Sequence, residues 1–102
     1  MREKSPAVYI PASKRNGTLY IGVTSDFVDR ISLHKQRVIE GFSKRYGVDR
    51  LVYIEFHEDM ETAIAREKQL KRWHRGWKIA LLEKENPGWQ DLYWEMSGMS
   101  GV

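Results

Sequence analysis

Two short β-rich runs, Ala7 to Ile10 and Thr18 to Val23, flank the tetrapeptide Lys14-Arg15-Asn16-Gly17. Asn-Gly favours the positive φ values of tight hairpin turns. The spacing therefore predicts an antiparallel pair of strands at the start of the chain. Pro11 directly follows the first run and has no backbone donor, so it is expected to end that strand or mark an edge. The register of the hairpin decides whether Tyr9 and Tyr20 share a face, and the sequence leaves it open. Gly22, inside the second strand, permits close approach by a ligand or another backbone, or marks a bulge.

The rest of the chain alternates helix and strand signals. Thr24-Ser25-Asp26 offers the short oxygen side chains of a helix N-cap, and a helix follows to about Val38–Glu40, where Gly41 stops it. Residues 42–49 read as a basic loop, and Leu51 to Phe56 as a third strand. Glu58 or Asp59 caps a second long helix to about Trp73, His74-Arg75-Gly76 breaks it, and Trp77 to Glu85 is helical again. Asn86-Pro87-Gly88 ends that helix, Trp89 to Glu95 packs back on the body, and residues 97–102 form a frayed tail after one domain over residues 1–96. The order strand, strand, helix, strand, helix, helix predicts an α+β fold, a small sheet with helices packed on it.

Composition excludes several classes. The 102 residues contain no cysteine, which removes disulfides, thiolate zinc sites and a cysteine nucleophile together. The first residues are charged, so no secretory leader is expected, and no apolar run approaches the ~20 residues of a membrane helix. A cytoplasmic domain is the expectation. The net charge is only +3, but it is clustered. Arg30, Lys35, Arg37, Lys44, Arg45 and Arg50 form one basic block; Arg66, Lys68, Lys71, Arg72, Arg75 and Lys78 form another. Such blocks suit a polyanion or an ordinary solvated face about equally.

Drawn as a wheel at ~100° per residue with Met60 at zero, Ala63 falls near ~300°, Ile64 near ~40°, Leu70 near ~280° and Glu67 near ~340°. Glu67 thus lies inside an apolar arc, where a carboxylate is costly unless it is paired, protonated or bound to metal. On the first helix, Arg30, His34 and Arg37 form a strip; Arg30 and His34 at i, i+4 can address one phosphate, or the strip is a solvent-facing basic edge, which helix geometry alone makes the commoner case.

Ala7-Val8-Tyr9 followed by Tyr20-Ile21-Gly22 resembles the paired tripeptides of the GIY-YIG nuclease family, with Ala7 and Val8 in place of Gly and Ile. Thr24, Asp26, Arg30 and His34 resemble its first-helix pattern, and Glu67, within Arg66-Glu67-Lys68-Gln69-Leu70-Lys71, is similar to its metal-binding glutamate. The compact length resembles small stand-alone bacterial members. The resemblance implies a three-stranded antiparallel sheet flanked by helices and Mg²⁺- or Mn²⁺-dependent phosphodiester hydrolysis. With few DNA-reading elements in the chain, a DNA endonuclease that selects structure or single strands rather than sequence is the expectation. It implies Glu67 as the metal ligand, Tyr9 and Tyr20 at the water or phosphate, and Arg30 and His34 on the phosphate side. Arg37, Lys44, Arg45, Lys71 and Lys78 are expected to face nucleic acid. Other branches carry an Asn near Lys78, and this chain has none from Trp77 to Glu85. Mg²⁺ keeps several waters, so one carboxylate is a sufficient protein ligand. Tyr9, His34 and a metal-bound hydroxide are all open as the proton acceptor.

Two other readings compete with a nuclease. One is a nucleic-acid-binding module on the same fold without turnover. The other is a protein adaptor resting on Trp73, Trp77, Trp89 and Trp94, although tryptophans in a small domain are more often core.

Overall fold

In the computed structural model, residues 5–27, 29, 47–48 and 50–92 are described. Three strands form one antiparallel sheet: β1 (Ala7–Ala12), β2 (Gly22–Thr24) and β3 (Arg50–Phe56), in the order β2-β1-β3. Two helices follow, α1 (Met60–Arg72) and α2 (Arg75–Glu85). Phe27 and Asp29 are helical, and Asp29 N–H reaches Asp26 Oδ1 at 3.5 Å, the capping predicted for the first helix. The remainder of that helix, the basic loop but for Gly47 and Val48, and the C-terminal tail lie outside the described residues.

Pro11 neither ends β1 nor lies at an edge. It sits inside the central strand, at the register shift between Ile10 and Pro11 on the β3 side. Toward β2, its carbonyl accepts from Tyr20 N–H at 3.0 Å, but it has no N–H to return. This half-made pairing explains why the continuous β2 ladder begins only at Gly22, whereas the sequence pattern predicts a strand from Thr18. The hairpin itself forms as expected. Gly17 N–H donates to Lys14 O at 2.9 Å, and Asn16 takes the positive φ, 60°.

Alternation divides β1 into two buried faces. Val8, Ile10 and Ala12 join Ile21, Val52, Tyr53, Ala63, Leu70, Leu82 and Trp89, so α1 and α2 cover that face. Ala7 and Tyr9 join Phe27 and Leu51 on the other. Asp59 caps α1, accepting from Thr62 N–H at 2.9 Å, and this bond holds its carboxyl below the usual range. His74, expected only as a breaker, is the N-cap of α2, which therefore starts two residues before the predicted Trp77.

Past α2 the chain is anchored by buried groups. Asn86 Nδ2 donates to Val52 O at 3.0 Å and to Gln90 O at 2.9 Å. Trp89 adopts φ 55°, is fully buried and donates its indole N–H to Glu83. Leu92 N–H to Leu51 O at 2.8 Å and Leu51 N–H to Asp91 Oδ1 at 3.1 Å tie the segment to β3. Trp89→Ala is expected to cost about 3–5 kcal/mol in urea unfolding, the range for a large aromatic in a core; a loss under ~1 kcal/mol would show that the segment is not part of the folding unit.

Candidate active site

The hairpin register answers what the sequence leaves open. Ala7 pairs with Thr24, Val8 with Val23, Tyr9 with Gly22 and Ala12 with Leu19. The same register puts Tyr20 opposite Pro11, as its bond to the Pro11 carbonyl requires. Tyr9 and Tyr20 therefore lie on one face as diagonal neighbours, a spacing within reach of aromatic side chains. Tyr9 is 2% exposed and Tyr20 is half-buried. Phe27 stacks edge-on against Tyr9, with centroids 6.4 Å apart.

Gly22 is needed by Tyr9 itself. A methyl added at Gly22 would lie 2.5 Å from Cζ and 2.7 Å from Oη of Tyr9. The far end of the phenol thus lies across bare backbone, carried from the central strand to the edge strand. No bulge occurs there between β1 and β2.

Glu67 lies on α1, which packs against β1 and β2. Its side chain is 12% exposed and Oε2 is 2.6 Å from Lys71 Nζ, whose side chain is 55% exposed. Ala63 and Leu70 are fully buried, whereas Ile64 is 38% exposed. The line facing the sheet therefore runs near ~290° on the wheel, with Arg66 ~50° to one side and Glu67 ~50° to the other. Arg66 reaches Glu55 on β3. Glu67 is consequently turned away from Glu55, to the opposite flank of α1. The phenol of Tyr9 lies over Gly22 of the edge strand β2, on the other face of the sheet.

The two predicted groups from the first helix, Arg30 and His34, lie outside the described residues, as do Arg37, Lys44 and Arg45. Lys71 is held by Glu67, and Lys78 is half-buried without an ion pair among the described residues. Among those residues, no three His, Asp or Glu side chains are grouped to hold a metal. An ion at Glu67 would draw its remaining ligands from water and substrate, which suits Mg²⁺.

One cluster escapes the sequence reading. Glu55 accepts from the Tyr53 hydroxyl, from His57 Nε2 at 2.9 Å and from Arg66 Nε at 2.9 Å. Arg66 also donates to Gln69 Oε1 at 2.7 Å and lies over the Trp73 ring, 5.4 Å from its centroid. Burial pushes the Glu55 carboxyl up, but the bonds from Tyr53, His57 and Arg66 outweigh it and leave the group below its ordinary value. Burial and then the bond to Glu55 push the Tyr53 phenol up. The signal was the two-residue spacing of Tyr53, Glu55 and His57, which puts all three on one face of an extended segment.

Comparison with known proteins agrees with this architecture. The model of the GIY-YIG catalytic domain matches residues 5–80. This chain belongs to the GIY-YIG family. That is a family of nucleases, and the match spans all three strands, α1 and the first half of α2. A UPF0213 protein of Bacillus cereus is 28% identical over 85 residues, covering 83% of this chain and 88% of that protein. A UPF0213 protein of Clostridium perfringens is 32% identical over 79 residues, covering 78% and 84%. No solved structure gives a significant match. None of the described helices is long and apolar enough to cross a membrane.

Two outcomes follow. Gly22→Ala is expected to destabilise the fold by roughly 1–3 kcal/mol through overpacking. Tyr9→Ala should relieve much of that cost, so a double-mutant cycle in urea reads a coupling of about 1 kcal/mol or more; additive losses would contradict the packing. The lowered Glu55 carboxyl adds stability above its ordinary range, about pH 4, and the contribution is lost as pH falls through its native value. Glu55→Gln should therefore flatten the acid limb of the stability–pH curve; parallel limbs for the two proteins would refute the network's role.

Proposed function

We propose that this protein is a divalent-metal-dependent DNA endonuclease that selects DNA structure or single strands rather than sequence. Two observations support the reading: the Tyr9 phenol laid over Gly22, and the largely buried Glu67 side chain on the helix that packs against β1 and β2. Glu67 would hold Mg²⁺ or Mn²⁺, and such an ion would polarise a phosphate oxygen and acidify a nearby water. Tyr9 and Tyr20 would position that water or the phosphate. Arg30 and His34, four residues apart in the sequence, would meet the phosphate, and the guanidinium would offset charge developing on five-coordinate phosphorus. Arg37, Lys44, Arg45, Lys71 and Lys78 would neutralise flanking phosphates, so binding should weaken as salt rises.

The Lys71 ammonium beside Glu67 favours a second reading, a nucleic-acid-binding module without turnover. A carboxylate already neutralised by an ammonium ion needs no metal.

A cleavage panel separates the two. Single-stranded, flapped and duplex DNA are incubated with Mg²⁺ or Mn²⁺ and either wild type or Glu67→Ala. A catalyst loses several kcal/mol of transition-state stabilisation in the variant, ~100-fold or more in rate, while affinity measured in EDTA persists. Tight binding by a wild type that cuts none of the three establishes the binding module. Equal cutting by both proteins identifies a contaminant.

A further inference from the structure

The junction of α1 and α2 carries an exposed aromatic surface that the edge site does not use. Trp77, in the first turn of α2, is 56% exposed. Its ring meets Trp73 edge-on, with centroids 5.8 Å apart at 88°, and His74 at 4.5 Å. Trp73 is half-buried against the helical face of the core, with the Arg66 guanidinium over its ring. Trp77 is thus the exposed member of a braced pair. Lone exposed apolar side chains are common and need no explanation. This one differs in two respects. It stands on a helix in contact with two rings, so little rotamer freedom remains to be lost on binding. It also lies within residues 68–82, which contain Lys68, Lys71, Arg72, Arg75 and Lys78 and no acidic residue.

Several of these cations have internal partners. Lys71 pairs with Glu67, and Arg75 donates to the carbonyls of Asn16 and Gly17 at 2.8 and 2.6 Å. Lys68, Arg72 and Lys78 have no ion pair among the described residues. An aromatic face among cations that have no ion pair among the described residues suits stacked bases on an anionic backbone. Trp73 follows Glu67 by six residues, ~9 Å along the helix axis.

We propose that Trp77, braced by Trp73 and His74, is a stacking seat for an unpaired base of a single-stranded nucleic acid. The seat rests on the reading of this chain as a protein that acts on DNA, and it names a residue that would make unpaired strands the favoured substrate. Duplex bases are already stacked on their neighbours and gain little from it.

The test is binding in EDTA, where no turnover is possible, by anisotropy of labelled oligonucleotides of equal length: a single strand, the same strand with abasic sites, and a blunt duplex. Trp77→Ala should weaken single-strand binding roughly 5- to 150-fold, the worth of one base stack. Trp77→Leu, which keeps bulk but has no aromatic face, should lose nearly as much, and Trp77→Phe should retain most of the affinity. Binding of the abasic strand and the duplex should be insensitive to all three. Equal losses on strand and duplex, or no loss on the strand, overturn the proposal. So does a concentration-dependent dimer that sedimentation finds in wild type and not in Trp77→Ala, since the surface would then be an interface between copies. The predicted binding pattern in a wild type that cuts no DNA with Mg²⁺ or Mn²⁺ would sink the nuclease alone. Cleavage without that pattern would sink the seat alone.

Discussion

All six residues of β1 are buried, including a proline and a tyrosine. A strand in that position must be covered on both faces, and its neighbours are placed by what they cover. Val8, Ile10 and Ala12 draw α1 and α2 onto one side; Ala7 and Tyr9 collect Phe27 and Leu51 on the other. Among the described residues β2 is an edge strand, and the Tyr9 phenol is laid across it.

Tyr9 and Gly22 tie the packing to that edge. A tyrosine buried in a central strand must find room for a long ring. Here the missing side chain of the cross-strand neighbour lets the ring lie sideways over β2. One glycine thereby serves the strand pairing and the placement of a phenol at the edge.

Basic residues mean less when counted than when located. Arg66 is bound to Glu55, Arg75 to the turn carbonyls of Asn16 and Gly17, and Lys71 to Glu67. The second basic block is therefore partly the fastening between helices, turn and sheet. Those partners are distant in sequence, apart from Glu67, so no local pattern could show how many cations stay unpaired. The tryptophans divide in the same way: Trp89 fills the core, Trp73 is half-buried, and Trp77 stays exposed.

Local chemistry determined the elements. The Asn-Gly turn, the Asp26 and Asp59 caps, the β-rich run at Leu51 and the apolar spacing of α1 each act within a few residues, so the order of strands and helices was readable in advance. The family was readable as well, because its resemblance is carried by residue types at fixed spacing in the paired tripeptides. Tertiary structure decided everything that depends on partners far along the chain. It put Pro11 in a central strand, where a register shift accommodates it. It set the face shared by Tyr9 and Tyr20, because a slip of one residue would have separated them. It joined Glu55 to Arg66 and turned Glu67 to the opposite flank of the same helix. Helical periodicity fixes the angle between those two side chains, but only the sheet beneath says which of them meets β3.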